Sequence, residues 1–174
     1  MQKKSCQSKI NSYLNNKTTT NKDIDIMIIA IDFDGTIVEH KYPQMGRPIP
    51  FAIETLLQLQ KENHKLILWT VREDELLQEA IDYCAERGLI FYANNANYPE
   101  ETAPKPRKLG VDMFIDDRNL GGLPDWGVIY KAVQATARGE SSFQVIMSAQ
   151  ETQQERNKRK KNIFLRIGEA LDAR

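Results

Sequence analysis

Residues 26 to 31 read IMIIAI, and this apolar run ends in Asp32, with Asp34 two positions later and then Gly35. An uninterrupted apolar run of this length is expected of a strand buried on both faces, the kind found in parallel sheets. A carboxylate at the end of such a strand is costly to desolvate unless something positive meets it. The run therefore constrains the fold to a buried parallel sheet and places an electrophilic or cationic partner at its carboxyl edge.

The rest of the chain alternates strand-like and helix-like segments. FAIETLLQLQKEN, residues 51–63, has Ile53, Leu56, Leu57 and Gln60 at helical spacing, with Phe51 and Leu59 widening the apolar side. KLILWT (65–70) reads as a second strand. Residues 73–88 form a second helix pattern with Leu76, Leu77, Ala80, Ile81 and Cys84 on one face and Gly88 as its stop. LIFY (89–92), VDMFI (111–115) and WGVIY (126–130) read as strands three, four and five. This order predicts an α/β fold with a mainly parallel five-stranded sheet and right-handed crossovers. In such sheets ligands gather outside the carboxyl ends of the strands. Asp32 and Asp34 stand after the first strand, Thr70 closes the second, and Asp116 and Asp117 follow the fourth.

Charge is divided unevenly along the chain. Residues 1–22 carry five lysines and no acid, whereas 23–149 carry 12 basic against 20 acidic side chains, a net of −8. Such a body repels nucleic acid and phosphorylated ligands unless a cation mediates. The expected organisation is a flexible arm (1–22), a catalytic domain (23–138) and a helical C-terminal extension (139–174). In the extension Phe164, Ile167 and Leu171 recur at helical spacing, which predicts docking on the domain or on a second subunit in preference to nucleic acid. Two cysteines without metal spacing, no apolar leader centre and no apolar run long enough for a membrane span predict a cytoplasmic protein.

Four carboxylates converging on one edge would repel by ~4 kcal/mol per close pair at an effective dielectric of 20. A hard divalent cation such as Mg²⁺ removes that repulsion and suits oxygen ligands. Carboxylates, a metal, a lysine and a threonine hydroxyl make a phosphate site, with one aspartate free to attack phosphorus. Extended residues two apart face the same way, so Asp32 and Asp34 are expected to address one phosphoryl group together.

With these residues in order, the chain resembles the haloacid dehalogenase-like superfamily of aspartate-nucleophile phosphatases. The first motif is IIAIDFDGTIV, the second LILWT and the fourth MFIDD, and the resemblance covers roughly Ile26 to Tyr130. It implies a Rossmann-like three-layer domain with Asp32 as nucleophile and Asp34 as general acid and then base. It also implies Mg²⁺ held by Asp32 and Asp116, by the backbone carbonyl of Asp34 and with help from Asp117, and a phosphate oriented by Thr70. The superfamily's lysine corresponds to Lys108, eight residues before Asp116, or to Lys105, which precedes a proline; Lys108 is favoured. Among members the chain is similar to small capless hydrolases with WTxRE and IDDRN stretches, here WTVRE and IDDRN. Neither gap between motifs has room for a cap domain, so the site is expected to be open and to admit a bulky phosphate ester.

Blander readings compete. Asp-Gly commonly makes turns, Thr70 is a β-favouring residue, and Asp117 suits a solvated loop start. Arg72 and Arg118 stand near enough to meet a substrate phosphate, with Arg72 the candidate substrate ligand, although an ion pair to the acidic body is the favoured reading of either. His40 reads as isolated, His64 as structural. Asn94, Asn95 and Asn97 either line the site mouth or belong to a turn-rich loop. The expected function is Mg²⁺-dependent phosphomonoester hydrolysis. The alternatives are a nucleotidase or polynucleotide 3′-phosphatase on the same site and, less favoured, a phospho-accepting signalling module, whose acceptor would follow a later strand. A homo-oligomer is compatible with the sequence.

Overall fold

The computed structural model describes residues 25–101 and 108–172, with side chains of the last helix described through Leu165. The arm expected over residues 1–22, Lys105, and the side chains of Ile167 and Leu171 lie outside the described residues. In chain order the elements are β1 (Ile28–Ile31), α1 (Ala52–Lys61), β2 (Lys65–Leu68), α2 (Asp74–Ala85), β3 (Ala93–Asn94), β4 (Met113–Ile115), α3 (Trp126–Ala137) and α4 (Ser142–Asp172). The strands form one sheet in the order β3-β2-β1-β4, and every pair is parallel.

Strand register explains the core. Ile29 lies opposite Leu66 and Met113, and Ile31 opposite Leu68 and Ile115. On that face the sheet meets Leu56 and Leu59 of α1, Ala80 and Cys84 of α2, and Ile129 and Val133 of α3 in one buried cluster. Ala30 and Ile67 point the other way, into a smaller cluster with Ala93 and Leu109, flanked by partly buried Ile28, Trp69, Tyr92, Val111 and Phe114. No described helix contributes to this second cluster. Among the described residues of the β3–β4 connection, coil lies over that face.

Two expectations about elements are corrected. The segment 126–130 is not a fifth strand but the first turns of α3, and the described sheet has four strands. Trp126, Ile129 and Val133 are buried at helical spacing. The Asp125 side chain caps the helix by accepting from the N–H groups of Gly127 and Val128 at 3.0 and 3.1 Å. The third strand is shifted along the chain to Ala93–Asn94 because 89–92 still leads out of α2. Leu89 N–H returns to Cys84 carbonyl, and the first bond to β2 runs from Tyr92 N–H to Leu66 carbonyl.

The last helix starts at Ser142, inside the extension expected over 139–174. Its opening turns lean on α3 through half-buried Val145, Ile146 and Ala149. From Glu151 to Leu165 every residue is exposed, and Phe164 is 73% exposed, so this stretch does not dock on its own domain. No described helix is long and apolar enough to cross a membrane.

Candidate active site

The site begins where β1 runs out. Asp32 N–H still bonds to the Ile115 carbonyl at 2.9 Å, which extends the β1–β4 ladder by one residue. The chain then folds back sharply: the N–H groups of Ile37 and Val38 both bond to the Phe33 carbonyl, and Gly35 N–H to the Val38 carbonyl. Gly35 makes this possible with φ +94°, a region that L side chains avoid. A Cβ at Gly35 would also run into the Asp117 carboxylate, 2.6 Å from its Cγ. Thr36 is fully buried beneath the turn and joins the two strand ends. Its hydroxyl donates to Asp32 Oδ2 at 3.4 Å and accepts from Asp117 N–H at 3.0 Å.

These contacts bring Asp32, Asp116 and Asp117 together, with one carboxylate oxygen from each lying within 4.8 Å of the others. Asp116 Oδ1 accepts from Arg118 N–H at 2.8 Å, and the buried Oδ1 of Asp117 has no hydrogen-bond partner among the described residues. Burial pushes the Asp32 carboxyl up to about 7, against the pull of the Phe33 N–H, and the nearby charges of Asp116, Asp117 and Asp34 push it further in the same direction. A half-buried, mutually repelling set of oxygens with one orphan acceptor fits a divalent cation, and the donors are all of the hard type.

Asp34 does not face that cluster. Its carboxylate is turned to Arg72, which donates from Nε to Oδ2 at 2.7 Å and from Nη2 to Oδ1 at 2.8 Å. Arg72 is 0% exposed and also donates to the carbonyls of Pro43 at 3.2 Å and Gln44 at 3.0 Å. The hydrogen bonds to Asp34 raise the guanidinium above its ordinary value. Two expectations change here. Alternation along an ideal strand would aim Asp32 and Asp34 together, but the turn at Gly35 ends the pleat before it can do so. Arg72, the candidate substrate ligand, makes the ion pair of the competing reading, as a buried clamp between Asp34 and the loop at residues 43–44.

The end of β2 supplies the opposite wall. Thr70 N–H is held by Asn95 Oδ1 at 2.8 Å, and the Thr70 hydroxyl accepts from Arg72 N–H at 3.2 Å. Asp32, Asp34, Thr70 and Asp116 line one cavity of about 400 Å³ with His40, Trp69, Val71, Glu73, Asn95 and Arg118. His40 Nδ1 lies 3.4 Å from the Asp34 carbonyl. Lys108 is exposed, does not line the cavity and makes no ion pair with another described residue. Thr36, His40 and Trp69 escaped the sequence reading of the site. Of these, only the threonine two positions after Asp34 carried a positional signal.

Fold and site together define a parallel α/β protein with an acidic cluster at the carboxyl edge of its sheet. No protein-family model matches the chain, and no curated protein matches it. A solved structure of a conserved protein coded by a locus of Bacteroides thetaiotaomicron is similar, with 62% identity and a TM-score of 0.62, and the match covers 64% of this chain and 93% of that one. The chain belongs to the same family as that conserved protein.

Proposed function

We propose that the chain is a Mg²⁺-dependent phosphomonoester hydrolase that works through an aspartyl-phosphate at Asp32. The observation that carries the reading is the convergence of Asp32, Asp116 and Asp117 within 4.8 Å at the sheet edge, where Asp32 and Asp116 line a cavity shared with Thr70. Asp32, Asp116 and Asp117 would hold the cation, which would offset their repulsion and draw charge from phosphoryl oxygens. Asp32 Oδ attacks phosphorus, a P–O bond to Asp32 forms, and the bond to the leaving alcohol breaks. Water then attacks the same phosphorus and releases phosphate and free Asp32. The Thr70 hydroxyl, whose lone pair already accepts from Arg72 N–H, keeps its proton for a phosphoryl oxygen. Asp34 gives a proton to the leaving oxygen and takes one from water, and for either it must turn from Arg72.

The same reading includes the Rossmann-like arrangement of the haloacid dehalogenase-like superfamily without a cap, coil serving as its third layer, and a cytoplasmic location. The lysine role falls to Lys108 or Lys105. A nucleotidase or polynucleotide 3′-phosphatase is the alternative on this site. The test is phosphate release from a panel of monoesters with and without Mg²⁺. Turnover that needs the metal and vanishes in Asp32→Asn is expected. Equal turnover in chelator, or an active Asp32→Asn, refutes the assignment.

A further inference from the structure

The cavity beside the carboxylates is larger than a phosphoryl group needs, and among its polar lining residues it holds one apolar patch. Trp69 and Val71 flank Thr70 at the end of β2, and both line the cavity. Val71 is 64% exposed, an aliphatic side chain held open at the mouth of an acidic site. Trp69 is half-buried and packs against the cluster of Ala30, Ile67, Ala93 and Leu109. Its indole is therefore braced by the sheet while part of it still faces the cavity. Thr70 between them is fixed through its backbone by Asn95, so the wall is set before any ligand arrives. Across the cavity Arg118 lines the opening, exposed, with no hydrogen bond or ion pair from its side chain to a described residue.

A braced indole next to a phosphoryl site is a stacking platform: flat rings gain on such a surface, and little conformational entropy is lost because the indole is already ordered. Resting on the phosphatase reading, we infer that the substrate is a phosphomonoester whose leaving group carries a planar aromatic ring, and that this ring lies on Trp69 with Val71 at its edge. The ring of a nucleobase and that of an arylalkyl alcohol share this chemistry.

Matched esters separate the ring from the leaving-group chemistry. The full chain with Mg²⁺ is assayed on 2-phenylethyl phosphate against butyl phosphate, two alkyl esters of similar leaving-group basicity. Nucleoside 5′-monophosphates against ribose 5-phosphate form the second arm. A preference in kcat/KM on the order of tenfold for the ring-bearing member is expected, carried mainly by KM. Preference in the first pair alone identifies an arylalkyl source, and preference in the second a nucleobase source. Trp69→Ala should collapse the ratio. Trp69→Leu, which keeps an apolar contact with the Ala30–Ile67 cluster, should shrink it while a melting curve reports that the domain is folded. Equal turnover of both members in both pairs, or a ratio unchanged in folded Trp69→Leu, overturns this inference and leaves hydrolysis at Asp32 intact. Absence of turnover for every ester overturns the hydrolase reading and this inference with it.

Discussion

Replacing Arg72 by alanine removes the partner of a buried carboxylate. Asp34 is 4% exposed and Arg72 0%, so neither charge has water to fall back on. Arg72 gives Asp34 two bonds, at 2.7 and 2.8 Å, and its guanidinium lies 5.1 Å from the centre of the Phe33 ring. Breaking such a pair from one side leaves an uncompensated buried charge and costs about 3–5 kcal/mol. That is a large share of the roughly 5–15 kcal/mol by which domains are stable, and it should lower Tm by on the order of 15 °C. Asp34→Leu combined with Arg72→Met removes both charges and keeps the volume apolar. The carbonyls of Pro43 and Gln44 lose their donor, but both residues are exposed and water can replace it. The double variant should therefore recover most of the loss. Urea titrations of the wild type, Arg72→Ala and the double variant at pH 7 give the three stabilities, with the slopes checked for equality. A loss below about 1 kcal/mol in Arg72→Ala would mean that the pair is not desolvated. A double variant as unstable as the single would mean that packing, not charge, is what Arg72 supplies.

Gly35→Ala forces a φ of +94° on an L residue and drives its Cβ into the Asp117 carboxylate. It should cost about 1–3 kcal/mol and weaken Mg²⁺ binding, read by isothermal titration; unchanged binding would remove Gly35 from the site. Asp125→Ala deletes the cap that accepts from Gly127 and Val128 N–H and should cost about 0.5–2 kcal/mol in urea, whereas Asp125→Ser should not. Burial lowers the pKa of His64, whose Nδ1 accepts from Met27 N–H at 3.1 Å, so the folded protein holds it neutral. Its contribution is whole above the unfolded value of about 6.5 and is lost as pH falls from there through the lowered folded value. Tm should therefore drop between pH 7 and 5, and His64→Asn should flatten that slope; an identical slope in the variant rules His64 out. Phe164→Ser, at a side chain 73% exposed, should leave stability within ±0.5 kcal/mol.

What the sequence revealed and what it hid follow one physical line. Apolar runs and helical spacing are local, and they identified β1, α1, β2, α2 and the neighbourhood of β4 because each pattern lay inside one element. WGVIY misled because five residues cannot distinguish a buried strand from the first turns of a buried helix. The distinguishing signal lay outside the window, in the Asp125 cap and in Val133 seven residues after Trp126. The site divides in the same way. That Asp32, Asp116 and Asp117 would meet was legible, because parallel register carries the ends of β1 and β4 to the same edge. Where Asp34 points was not legible, since a turn through positive φ destroys the alternation that such a forecast relies on. Nor was its partner, because Arg72 comes 38 residues later and only the folded chain brings its guanidinium under the Gly35 turn. The carboxylate nearest in sequence to the proposed nucleophile is thus held away from it by a side chain contributed by the next strand's loop. Any chemistry that uses Asp34 must first loosen a clamp that also grips the carbonyls of Pro43 and Gln44. Those carbonyls belong to the exposed loop ahead of α1, so a ligand that moves this loop also moves the group that would handle its proton.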